Sequence, residues 1–560
     1  MSLSLQAFAP AALLLLGSLV LLLRPGATVF AIVEVTTLAA LIRLSQLSAA
    51  TLTVPVYDPL SDVPLVLRLD RLSLFFAISA VFAGLLVALP WVGDRDRRVP
   101  FGWLTLAQFG TVGGILSGNL QGLAAGWGVV VAALLMLILV PQPVGRELGR
   151  LSGAVTRTVV LHLAGAALVL VGAVVVEALT GTTSYDAVPV GAIDSRTQLL
   201  LLAAPVISLA TLAGLLRACR RPATAAVLLP AVVLPLAAYT LARTVDLAEG
   251  RSLQGSAGLG LVLAAGVGAT GYGLYALWAP DLGATIGRLI SALGLVLLAA
   301  FAVGGSGGLV ALLVGYVSLQ AVVGALLVLL DAGQGRLPGR GSTAGWLIGL
   351  LALLPLAATG GLVLAMGLDA RLLVLRRLLD LGLRGALVAV PLLTAVAAVL
   401  AGSLAAARFG GGRVSGRRGL IQLGLGGCAL VGLQLAGPVV RDLAVSLAAA
   451  GARVPLADVR STASASVPGP AVAGGLLLLA VVVVGIAARP GWYSPVDGLR
   501  RAPDMLPPPI AVMPEIVLRR GLLAARSRGS RVAGLAAAHP RWVIALGWLA
   551  AVVVVVFAGR

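Results

Sequence analysis

The sequence predicts an all-α, polytopic membrane protein, and three observations carry that prediction. Of its 560 residues 59% are hydrophobic and 11% charged, with a mean hydropathy of +1.07, a balance outside the range of soluble domains. Apolar runs long enough to cross a bilayer recur along the whole chain. The basic residues between them number 40, all arginine, giving a net charge of +19.

Taking each apolar stretch of roughly 17–25 residues as one span, the chain divides into about sixteen, with fourteen to sixteen as the working range. The first three lie near 7–23, 27–44 and 72–93. The first has no charged leader or cleavage site and reads as a retained helix. Five follow near 101–117, 120–141, 155–180, 197–217 and 223–245, and five more near 257–279, 285–303, 307–331, 344–367 and 384–408. Spans near 419–438 and 470–488 come next, and a last one lies near 541–557. The segments expected are therefore 1–100, 101–245, 257–408, 409–488, 489–540 and 541–560. Within 489–540, Pro514 and Glu515 form a helix start. Leu518, Leu522, Ala525 and Val532 then share one face while Arg519, Arg520 and Arg526 lie off it, the pattern of a short interfacial helix.

Positive residues concentrate in cytoplasmic loops. Arg95, Arg97 and Arg98, Arg146 and Arg150, Arg217, Arg220 and Arg221, and Arg413, Arg417 and Arg418 all follow odd-numbered spans. That places both termini outside a bacterial cytoplasmic membrane, with Arg371, Arg376 and Arg377 running against the rule. Aromatics make up 4% of the chain and the arginines are scattered through loops, so anionic lipid rather than nucleic acid is the expected polyanion. Codon bias in a GC-rich genome is a sufficient reason for arginine in place of lysine at the surface. Cys219 and Cys428 stand alone, without CxxC or a histidine cluster, so no metal, iron–sulfur group or other cofactor is expected. No nucleophile pair or phosphate-cradling loop marks an active site of the chain's own.

Two prolines interrupt spans: Pro205 in the seventh and Pro355 in the twelfth. A proline inside a span frees a backbone carbonyl, which is tolerated where protein or a polar cavity satisfies it. Broken helices at matching places in two halves are the sequence trace of an inverted-repeat transporter.

Several segments resemble, in order, the antiporter-like subunits of respiratory complex I, the related membrane-bound hydrogenases and the Mrp-type cation/proton antiporters. They are Arg68-Leu69-Asp70-Arg71-Leu72-Ser73-Leu74-Phe75-Phe76, the run from Arg221-Pro222 to Ala238-Tyr239-Thr240-Leu241-Ala242-Arg243, and Asp281-Leu282 with Arg288-Leu289-Ile290-Ser291-Ala292-Leu293-Gly294. The resemblance covers roughly residues 60–370. It implies two inverted five-helix repeats, spans 4–8 and 9–13, with breaks in the seventh and twelfth helices. It also implies a lateral helix before the last span, and membrane subunits of a complex I-like (NADH-quinone oxidoreductase) or hydrogenase-like assembly as partners.

The same resemblance implies a proton path through five titrating residues, and this sequence departs from it at every one. Gly128, after Trp127, stands where the fifth helix would carry glutamate. Ala204 or Pro205 and then Pro235 replace the lysines of the seventh and eighth. Gln320 falls near the histidine of the eleventh and Val363 near the charge of the twelfth. Arginine cannot serve as a substitute switch, because it stays protonated.

The ionisable residues left inside spans are Glu34, His162 and Glu177, the candidates for any proton path, with Glu177 first. Solvation or a structural ion pair, for Glu34 with Arg43, is the plainer reading of the two glutamates, and a satisfied helix-end histidine that of His162. The expected function is a structural, non-pumping antiporter-like subunit. The alternatives are a proton or cation transporter with a relocated path, or an unrelated polytopic transporter.

Overall fold

The computed structural model describes residues 3–47, 52–56, 65–92, 99–139, 153–189, 192–218, 222–247, 256–277, 282–303, 305–333, 374, 378, 383–406 and 437–451. Pro355, Val363, the spans near 344–367, 470–488 and 541–557, and the amphipathic segment from Pro514 lie outside them.

Helices α1 (Leu3–Leu23) and α2 (Ala27–Leu47) pack side by side, and α1 also lies along α4 (Phe101–Leu116). Helix α3 (Arg71–Ala88) ends in a 3-10 turn, Leu89–Trp91. Helices α5 (Leu120–Leu139) and α6 (Gly153–Thr180) follow, and α6 closes on Gly181, whose φ of 74° suits a residue without Cβ. The seventh span is three pieces, α7 (Ser195–Leu201), α8 (Ala203–Ala210) and α9 (Leu212–Ala218). The eighth is α10 (Pro222–Leu228), a π-helical turn Leu229–Val233, and α11 (Leu234–Leu247). Helices α12 (Ser256–Leu277), α13 (Leu282–Val303), α14 (Gly305–Gly333), α15 (Leu383–Ala406) and α16 (Gly437–Gly451) complete the described set. Seven of the described helices are long and apolar enough to cross a membrane, and three shorter apolar ones accompany them. The protein is an all-α, multi-pass membrane bundle.

Small residues let these helices approach closely. At the α4–α5 crossing, a Cβ on Gly126 would stand 2.6 Å from the Gly110 carbonyl oxygen and 2.7 Å from the Gly114 Cα. The backbones themselves are the contact.

Two elements differ from the sequence expectation. Residues between the second and third spans form an antiparallel hairpin, β1 (Leu52–Val56) on β2 (Leu65–Leu69), pairing Leu52 with Leu69 and Val56 with Leu65. Its signal was the alternation Leu65, Leu67, Leu69, masked by the much longer apolar runs on either side. Helix α16 begins at Gly437, where a loop was expected after 438. Pro438 suits its first turn, and Ala444, Leu447 and Ala448 are buried on a face that meets α3 and α14.

The hairpin is tied to one end of the bundle. Gly118 N–H donates to the Val66 carbonyl at 2.6 Å and Tyr185 N–H to the Gly118 carbonyl at 3.1 Å. This ties the α4–α5 turn and the segment after α6 to β2, just before Asp70.

Candidate functional site

Asp70 caps α3 through a capping box. Its Oδ1 accepts from Ser73 N–H at 2.7 Å, and Ser73 Oγ accepts from Asp70 N–H at 3.1 Å. Arg243, fully buried on α11, pairs with Asp70 Oδ2 and with Asp246 Oδ2 at 3.3 Å, while its Nε donates to Tyr239 Oη at 3.0 Å. Arg68 Nε lies 2.9 Å from the same Asp70 oxygen and its Nη1 2.8 Å from Asp186. The Tyr239 and Tyr185 rings flank the Arg243 guanidinium at 5.2 and 5.5 Å.

Burial alone would raise the Asp70 carboxyl. Arg243, the Ser73 N–H and Arg68 together outweigh it and hold the group below the ordinary aspartate range. Burial pushes the Tyr185 phenol up. The knot thus joins two of the three segments that carry the family resemblance, through Arg68 and Asp70 on one and Tyr239 and Arg243 on the other. None of its members stood among the sequence candidates. The spacing Tyr239, Arg243, Asp246 on one helix, with an Asp-x-x-Ser cap elsewhere, was the signal available.

A second polar feature runs through the bundle centre. In the π turn, Leu234 N–H donates to the Leu229 carbonyl. The next carbonyl, of Pro230, would in the same register take its donor from residue 235, which is proline and has none. Gln320 of α14 fills the vacancy, its Nε2 donating to Pro230 O at 3.0 Å and to Ser79 O on α3 at 3.1 Å. Beside it Tyr316 Oη and Ser79 Oγ lie 2.6 Å apart, and Thr111 Oγ1 donates to Val232 O at 3.3 Å. Replacing Gln320 with leucine would strand the Pro230 carbonyl. The expected loss is about 1–3 kcal/mol, read as a lower Tm in detergent, and an unchanged Tm would mean that these carbonyls have other donors.

The seventh span is interrupted at Leu202 and Thr211, on either side of Pro205. Groups left over at the second interruption are met from later helices: Tyr272 Oη of α12 donates to Ala210 O at 3.2 Å, and Ser291 Oγ of α13 accepts from Ala213 N–H at 2.8 Å. Ala204 and Pro205 are buried. On α5, Trp127 Nε1 donates to Thr240 Oγ1 of α11 at 3.1 Å, beside Gly128. Arg288, from the third resembling segment, donates to Tyr275 O at 2.6 Å, its guanidinium 3.8 Å above that ring.

The three sequence candidates do not converge, since each has its own partners. Glu177 accepts from Gln121 Nε2 at 2.9 Å at the partly exposed end of α6. His162 Nδ1 lies 2.7 Å from Thr158 O in its own helix, so that nitrogen carries the proton. Glu34 is neither solvated nor paired with Arg43. Its carboxyl is fully buried and takes a 3.3 Å hydrogen bond from Gln108 Nε2 of α4. Among the described residues no group of three or more metal-ligating side chains gathers.

Taken together, a seventh span interrupted at Leu202 and Thr211, an eighth carrying a π turn, and α14 packed on that eighth span belong to one polytopic membrane bundle. Solved structures share that fold. A chain of the Mrp complex from Dietzia sp. DQ12-45-1b matches with a TM-score of 0.75 at 19% identity, covering 100% of this chain and 63% of that one. A chain of the membrane-bound sulfane sulfur reductase, an archaeal respiratory membrane complex, matches at 0.65 and 16% over 82% of this chain and 100% of that one. A chain of respiratory complex I from Thermus thermophilus with bound NADH matches at 0.60 and 17% over 79% and 99%. This chain therefore spans just under two thirds of the Mrp chain's length, and at these identities the likeness establishes the fold. No protein-family model and no curated protein matches the sequence.

Proposed function

We propose that this chain is a structural, non-pumping antiporter-like subunit of a multisubunit membrane assembly of the complex I, hydrogenase or Mrp kind. It sits in the bacterial cytoplasmic membrane against other membrane subunits and anionic lipid. The inverted repeats over spans 4–8 and 9–13 belong to the same reading.

The observation that carries the proposal is the Gln320 amide bridging Pro230 O and Ser79 O. Where the resemblance implies stations for proton transfer, this chain has Gly128, Ala204 or Pro205, Pro235, Gln320 and Val363, none of which titrates. The polar groups there bond to backbone, which keeps helices in place and moves no charge. A relocated path would need titrating groups in contact, and Glu34, His162 and Glu177 each have a separate partner. The shared fold favours this reading over an unrelated polytopic transporter.

Purification from native membranes in mild detergent tests the assignment. Stoichiometric co-elution with other polytopic membrane subunits is expected. A chain that elutes alone from every mild detergent contradicts it.

A further inference from the structure

Glu34 is the one carboxyl among the described residues buried within the bundle with no cation beside it. Its side chain is 0% exposed, as are those of Gln108 and Thr37. Gly84 of α3 makes the space: a Cβ there would meet Gln108 Nε2 at 2.5 Å and Glu34 Oε2 at 3.2 Å. One hydrogen bond links the two side chains, from Gln108 Nε2 to Glu34 Oε2 at 3.3 Å. Glu34 Oε1, Gln108 Oε1 and Thr37 Oγ1 are all buried without a partner.

Among the described residues, the surroundings supply no positive charge. The elements packed most closely on α2 are α1, α3, α4 and the 3-10 turn Leu89–Trp91. Among them α1, α4 and the turn contain no charged residue, and α3 has only Arg71 at its first, exposed position. On the α2 side, Arg24 precedes the helix and Arg43 lies nine residues on, about 13 Å along the axis, and both are exposed. An unpaired ionised carboxylate in such a place is costly.

With Glu34 ionised, both unpartnered oxygens of the Glu34–Gln108 pair can only accept. A carboxylate facing an amide leaves the amide carbonyl without a donor. A carboxylic acid supplies that donor, and the acid and amide can then pair head to head with one donor and one acceptor on each side. We propose that Glu34 binds a proton and holds it as a structural ligand shared with Gln108, tying α2 to α4 across Gly84. A sodium ion is the poorer occupant, since these side chains offer few oxygens for a cation that takes several. The proposal is independent of the functional reading above: a single proton site with no titrating neighbour is a tie, not a path.

Infrared difference spectroscopy of the full chain at neutral pH tests it. The E34Q-minus-wild-type spectrum is expected to show loss of a protonated carboxylic C=O band. Gln108→Leu is expected to move the Glu34 acid band to higher frequency, and this second variant keeps the test open if E34Q does not fold. A carboxylate band lost in E34Q, an acid band unmoved by Gln108→Leu, or an acid band that disappears on adding sodium would each overturn the proposal.

Discussion

Replacing Arg243 with methionine is expected to cost about 3–5 kcal/mol, because it removes the cation shared by two acidic groups in a buried site. Asp70 and Asp246 both face the guanidinium, and without it Asp70 keeps Arg68 and the Ser73 N–H. The measurement is the Tm of detergent-solubilised protein together with the fraction eluting as a monodisperse peak. Arg243→Met with Asp70→Asn is expected to recover part of the loss, since the amide removes the uncompensated charge. Arg243→Lys is expected to fall between, because one ammonium cannot reach two carboxylates and the Tyr239 hydroxyl with a planar fork. A Tm of Arg243→Met equal to wild type would show that the knot contributes nothing. The same knot sets a pH dependence. The Asp70 carboxyl is held below its ordinary range, so its contribution is fully present above about pH 4 and is lost as pH falls through the folded value. Acid unfolding of the wild type is therefore expected below about pH 4, with a shallower acid limb in Asp70→Asn.

The second large effect is expected at Gly126. Valine there would place Cβ against the Gly110 carbonyl oxygen and the Gly114 Cα, both backbone atoms that no rotamer change can move. The two helices must separate, at a cost of at least about 1–3 kcal/mol. Since α5 also presents Trp127 to Thr240 of α11, the displacement would reach the centre of the bundle. The matched control is Gly113→Ala on α4, where an added Cβ meets nothing within 4 Å, and that variant should melt as the wild type does or slightly higher. Equal Tm values for Gly126→Val and Gly113→Ala would remove the close crossing from the explanation of the fold.

Most of the described spans were legible because length and hydropathy carry the signal directly. Helix α5, Leu120–Leu139, begins where Ser117-Gly118-Asn119 turns the chain and continues while residues stay apolar, and the span expected from the sequence was 120–141. The hairpin and α16 escaped for the opposite reason. Five-residue strands, one containing Pro55, and a helix whose Arg441 and Asp442 interrupt the apolar run lack that signal. The partnerships were hidden more deeply. Nothing near Glu34 in sequence points to Gln108, nor near Pro230 to Gln320, because those pairs exist only once the helices have packed. What Gln320 does with its amide depended on a π turn that no periodicity announces.

Proton flux across proteoliposomes containing the purified chain, driven by an imposed membrane potential and followed with an entrapped pH-sensitive dye, bears most directly on whether this bundle conducts. The expected result is a flux equal to that of protein-free vesicles, unchanged by Glu34→Gln or Glu177→Gln. A protein-dependent flux that either substitution abolishes would contradict a structural role and establish a relocated path through the chain.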